Sequence, residues 1–94
     1  MRVLLVLCLA AMPSLAHAKP ELKCEFEGNK TKVSIVNPDN KRAFCHYNCN
    51  YQLENGAGAD VGSTAVAAGE TKVVSEDTHK SKVTGVNTKK LECE

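Results

Sequence analysis

Four cysteines, Cys24, Cys45, Cys49 and Cys93, fall within residues 19–94 and constrain the fold more than any other feature. A core of this size rarely supplies more than about 3–5 kcal/mol of net stability. The chain has no Trp, and its aromatics are Phe26, Phe44, Tyr47 and Tyr51. An even number of cysteines in a short exported chain reads as two disulfides. Each native bridge in such a domain contributes about 2–5 kcal/mol, enough to decide whether the domain folds.

Export is read from residues 1–18, MRVLLVLCLAAMPSLAHA. Arg2 precedes an apolar run from Val3 to Met12, Pro13 and Ser14 break it, and Ala16-His17-Ala18 offers small residues where a signal peptidase cuts. The run is too short to span a bilayer, which takes roughly 20 helical residues. Cys8 leaves with this leader, and the mature chain begins at Lys19. Loss of Arg2 brings the 12 basic residues down to match the 11 acidic ones. A neutral chain with interspersed charges has no field for nucleic acid or an anionic membrane. The expectation is a secreted periplasmic or extracellular monomer with no membrane insertion after cleavage.

The mature sequence alternates with period two. Leu22, Cys24 and Phe26 alternate with Lys23, Glu25 and Glu27. Gly28-Asn29 suits a two-residue hairpin turn, and Thr31, Val33 and Ile35 follow, alternating with Lys30, Lys32 and Ser34. Closing the hairpin there sets Phe26 against Thr31, Cys24 against Val33 and Leu22 against Ile35. The same register sets Glu25 against Lys32 and Glu27 against Lys30. Two patterns agree on one register, as a single buried face demands. Asn37-Pro38-Asp39-Asn40 is a turn cluster. A third strand spans Ala43 to Leu53, with Cys45, Tyr47, Cys49, Tyr51 and Leu53 on one face. Asn55 to Asp60 reads as a flexible loop. Val61 to Ala67 and Thr71 to Ser75 read as strands joined at Ala68-Gly69-Glu70. Asp77 to Lys80 is a connection, and Val83 to Cys93 the last strand, bent near Gly85. Six short strands predict an all-β, disulfide-stapled antiparallel sandwich or partly open barrel.

Four cysteines allow three connectivities. Cys45 and Cys49 lie four apart in a strand, roughly 13 Å at about 3.3 Å per residue. A disulfide needs Cα atoms within about 7 Å. Each must therefore reach Cys24 or Cys93. Up-down-up strands put Cys24 and Cys45 at similar height, which favours Cys24–Cys45 with Cys49–Cys93 over Cys24–Cys49 with Cys45–Cys93. A second strand lying between the first and third would force the first into an opposing sheet, which argues for a sandwich.

Little in the sequence carries chemistry. Cys45, His46, Cys49, His79, Cys24 and Cys93 are metal-ligand types, but zinc sites place paired cysteines on turns, and His46 points away from Cys45 and Cys49. No metal or other cofactor is expected. No nucleophile elbow, spaced acid pair or phosphate loop appears, so no enzyme is expected. Tyr47 and Tyr51 read as packing around the bridges. The opposite face of that strand carries Phe44, His46, Asn48, Asn50 and Gln52, an uncharged strip able to hydrogen-bond a glycan or a protein partner. Asn29-Lys30-Thr31 is an N-x-T sequon in a turn. The reading is a non-enzymatic binding module outside the cytoplasm. The alternative is a secreted effector such as a protease inhibitor or toxin, although the exposed loop at Asn55 to Asp60 is Gly-rich and poorly preorganised for inhibition.

Overall fold

The computed structural model describes residues 18–94. The leader therefore lies outside the described residues except for Ala18. The chain forms six strands: β1 (Glu21–Glu27), β2 (Lys30–Val36), β3 (Ala43–Leu53), β4 (Gly56–Val66), β5 (Thr71–Thr78) and β6 (Val83–Cys93). They make two antiparallel three-stranded sheets, β1-β2-β5 and β4-β3-β6. The sheets pack as a sandwich, with β1 over β6 and β5 over β4.

The first hairpin has the register read from its side chains. Leu22 pairs with Ile35, Cys24 with Val33, Glu25 with Lys32, Phe26 with Thr31 and Glu27 with Lys30. Gly28 takes φ +64° while Asn29 does not turn left-handed, as a two-residue turn led by Gly requires. The inward face holds Leu22, Val33 and Ile35 in the core. Phe26, on the same face at the turn end, stays 41% exposed. The outward pairs sit in register, but Lys90–Glu92 is the only ion pair among the described residues.

From β2 the chain crosses to the other sheet through 37–42, and the buried Asn37 fixes this crossing. Its Nδ2 donates to Lys41 O at 2.8 Å, Val66 O at 3.2 Å and Ala67 O at 3.2 Å. Its Oδ1 accepts from Asp39 N, and its backbone N–H donates to Glu70 O. One side chain thus joins the crossing to the end of β4 and the turn after it.

β3 is the spine of the second sheet, with Ala43, Cys45, Tyr47, Cys49, Tyr51 and Leu53 all buried. Two expectations need correction around it. Asn55 to Asp60 is not a loop: β4 starts at Gly56 and pairs with β3 over its full length. Gly has low strand propensity, which hid the strand. The glycines are needed because rings lie on them. A Cβ on Gly62 would stand 2.8 Å from Tyr47 Cζ, and one on Gly58 would stand 2.9 Å from His79 Nδ1. Similarly, β5 continues to Thr78, so the following connection starts at His79.

The second correction concerns the bridges. They are Cys24–Cys49 and Cys45–Cys93, with Cα separations of 6.0 and 4.0 Å. The favoured alternative fails because β6 runs antiparallel beside β3, which brings its last residues to the start of β3. Cys93 pairs directly with Cys45. Phe44 and Glu94 exchange both backbone bonds, so Cys45 and Cys93 form the closer, non-hydrogen-bonded pair, where a cross-strand bridge fits. Cys49 is left to face Cys24, midway along β1, and this bridge joins the two sheets. In β6 the ladder to β3 slips on both sides of Gly85, at Thr84 and Asn87, as a bend there predicts.

Candidate functional site

Two polar constellations stand out, one inside the sandwich and one on its surface. The internal one centres on Asp60, only 3% exposed, on the inward face of β4. Its Oδ2 accepts from Thr31 Oγ1 of β2 at 2.8 Å and from the Tyr51 hydroxyl of β3 at 2.9 Å. The Thr31 proton is committed to Asp60, so His79 Nε2, 3.0 Å away, donates to Thr31 Oγ1. The His79 ring meets Tyr51 edge-on at 5.5 Å. Asp77 of β5 lies directly across from Thr31, on the same face, and its carboxyl titrates together with that of Asp60. Asp60 Oδ1 is buried and meets no hydrogen-bond donor among the described residues.

The titration of the group follows from this arrangement. Burial pushes the Asp60 carboxyl up. The hydrogen bonds from Asp77, Thr31 and Tyr51 and the charge of His79 outweigh it and hold the group below the usual carboxylate range. Asp77 is raised, first by its hydrogen bond to Asp60 and then by the Asp60 charge. Burial, then the bond to Asp60, raises Tyr51 far above the usual phenol range. This is not a catalytic triad. The hydroxyl donates to the carboxylate, the imidazole donates to the hydroxyl, and Thr31 is buried. The cluster ties both sheets together at the β4–β5 side. It lay outside the candidate residues read from sequence, since its members are spread over four strands and a connection. Among the described residues no three His, Cys, Asp or Glu side chains converge as metal ligands.

The sequon is structurally engaged. Asn29 Nδ2 donates to His79 O at 3.1 Å, and the Thr31 hydroxyl is buried.

The surface constellation gathers all five strip residues on the outer face of β3. Phe44, His46 and Gln52 are exposed, and Asn48 and Asn50 are half-buried. Phe44 meets the His46 ring edge-on at 5.4 Å. His46 Nδ1 bonds Ser63 Oγ of β4. Asn50 Nδ2 donates to Asn48 Oδ1 and to Thr88 Oγ1 of β6, both at 2.9 Å. Gln52 Nε2 donates to Leu53 O and Gly56 O at 3.1 Å, and its Oε1 accepts from Asn87. The strip is thus laced to both neighbouring strands and held in one plane.

Beside it runs a second row that sequence reading missed. Ala57, Ala59, Val61, Ser63 and Ala65 of β4 pair with Gln52, Asn50, Asn48, His46 and Phe44 and share their outer face. Val61 is 65% exposed and Phe44 45%. The outer surface of β3 and β4 therefore carries no charge. The outer face of the other sheet is charged, with Glu21, Lys23, Glu25, Glu27, Lys30 and Lys32 along β1 and β2. Compared with known proteins, the chain matches no family model and no curated protein sequence.

Proposed function

We propose that this chain is a small secreted binding module, without catalytic activity, that docks a partner protein on the outer face of β3 and β4 outside the cytoplasm. One observation carries this reading: the outer face of β3 and β4 carries no charged side chain, is bordered by Lys90 and Glu92 of β6, and is laced into a fixed surface, whereas the outer face of β1 and β2 is charged. Interface cores are depleted in charge and enriched in aromatic side chains, which fits Phe44, Val61 and the amides between them. Two disulfides are consistent with an oxidising compartment, and the leader supports export. An inhibitor would want a rigid exposed loop, and residues 55–60 are mostly strand.

The test is site-specific photo-crosslinking of the oxidised protein in the secreted fraction of its source. A photoreactive residue replaces Asn48 on the uncharged face or Lys32 on the charged one. Adducts from position 48 and none from position 32 are expected. Adducts from position 32 alone, or from neither, contradict the reading.

A further inference from the structure

The free edge of β4 extends the same surface. Backbone groups in an antiparallel ladder alternate sides. Phe44 exchanges both its bonds with Glu94, so Phe44 points its N–H and C=O to the β6 side and Cys45 points its own to β4. Following the register along β3, Thr64, Gly62, Asp60 and Gly58 bond to β3. Ala57, Ala59, Val61, Ser63 and Ala65 turn theirs outward. Lys72 of β5 confirms the phase at one end, since its Nζ reaches Ala65 O at 2.9 Å. At Ala57, Ala59, Val61 and Ser63 neither group meets a partner among the described residues.

Proteins normally guard such an edge with charge, Pro, a bulge or a covering segment. β1 carries Glu21, Lys23, Glu25 and Glu27, β5 carries Lys72, Glu76 and Asp77, and β6 carries Lys89, Lys90 and Glu92. The only charge in β4 is Asp60, which is turned inward and buried. Its pairing with β3 is unbroken over all eleven residues.

Building on the proposed docking face, we infer that a second copy of this chain adds at its open edge, antiparallel along β4 about a two-fold axis at Val61, and so enlarges that face. That axis sets Val61 against Val61 of the other copy, Ala59 against Ser63 and Ala57 against Ala65. No charge meets a charge on either face of the joint. The four open residues all present their backbone groups in the phase that this pairing needs, so the edge is complementary to itself. The two three-stranded sheets become one of six, and their uncharged outer faces become continuous.

Sedimentation of the oxidised protein from about 1 μM to about 1 mM tests the association. A concentration-dependent dimer is expected. Its amides at Ala57, Ala59, Val61 and Ser63 should gain exchange protection as the dimer fills, while Gly58, Asp60 and Gly62 are protected throughout. Val61→Lys puts two like charges face to face on the axis. Position 61 is exposed, so the monomer fold is unaffected, and dissociation should become about tenfold easier or more. The A59K/S63E double variant sets Lys against Glu twice across the same axis, and should dimerise with an affinity that falls with salt. A protein that stays monomeric throughout overturns the inference. So does a dimer in which the four amides gain nothing. Position-48 adducts that persist in a protein that stays monomeric would leave the docking face standing and overturn only the second copy at its edge.

Discussion

The Tyr51 hydroxyl donates a 2.9 Å hydrogen bond to Asp60 Oδ2 inside the sandwich, from a neighbouring strand of the same sheet. Thr31 brings a second donor to that oxygen from the other sheet. A buried charged acceptor of this kind makes each bond worth about 1.5–3 kcal/mol. Tyr51→Phe, which keeps the ring and removes the donor, should lose stability by that amount in urea unfolding. An unchanged midpoint would mean that the cluster does not hold the sheets.

The same cluster sets a pH dependence with two limbs. Asp60 is held below its unfolded value, so its contribution is full above the ordinary carboxylate range and is lost as pH falls through its lowered folded value. Asp77 is raised, so its contribution is full below the ordinary range and is lost as pH rises through its raised folded value. Stability should peak in mildly acidic solution. Asp77→Asn supplies a permanent donor and should abolish the upper limb while leaving the acid one. A variant that keeps both limbs would show that Asp77 does not share the Asp60 proton. Urea unfolding across the acid and neutral range reads both.

Asn37 offers a sharper mutational contrast. Its amide donates to three carbonyls at that corner, one of which, Ala67 O, also accepts from Glu70 N–H. Asn37→Ala should cost about 1–3 kcal/mol through the lost donor, and Asn37→Asp more, since it adds an acceptor where donors are needed. Equal stability of Asn37→Asp and the parent would contradict the role assigned to this side chain.

The hairpin and the sandwich were legible in the sequence for one reason. In β1 and β2 both faces are patterned, so apolar pairing and charge pairing had to agree. The first half of β4 was not legible because Gly56, Ala57, Gly58 and Ala59 carry no alternation. The reason for glycine there, the Tyr47 and His79 rings, comes from distant parts of the chain. Asp60 was hidden with it: only once β4 is known to begin at Gly56 does Asp60 fall into the inward phase. The strip from Phe44 to Gln52 was readable from period two alone, whereas the β4 row beside it depended on the register. The bridges escaped because the relative height of Cys24 and Cys45 depends on how the 37–42 crossing offsets one sheet from the other, which no strand pattern records.

One glycine of β4 and one of β6 give a graded prediction. Gly62→Ala drives a methyl into the Tyr47 ring, which is held in the core, and should cost about 1–3 kcal/mol. Gly85→Ala meets nothing within 4 Å and should be close to neutral. Thermal unfolding of the two variants should rank them in that order. A reversed order would mean that Tyr47 does not lie on β4.

The whole architecture depends on β3 being tied to β1 through Cys49 and to β6 through Cys45. Mass spectrometry of the unreduced protein, cleaved after Phe26, Phe44, Tyr47 and Tyr51 to part all four cysteines, reads this directly. The peptide holding Cys24 should be linked to the one holding Cys49, and the C-terminal peptide with Cys93 to the one holding Cys45. A Cys24 peptide linked to Cys45, with Cys93 linked to Cys49, would contradict the antiparallel placement of β6 beside β3 and the sandwich built on it.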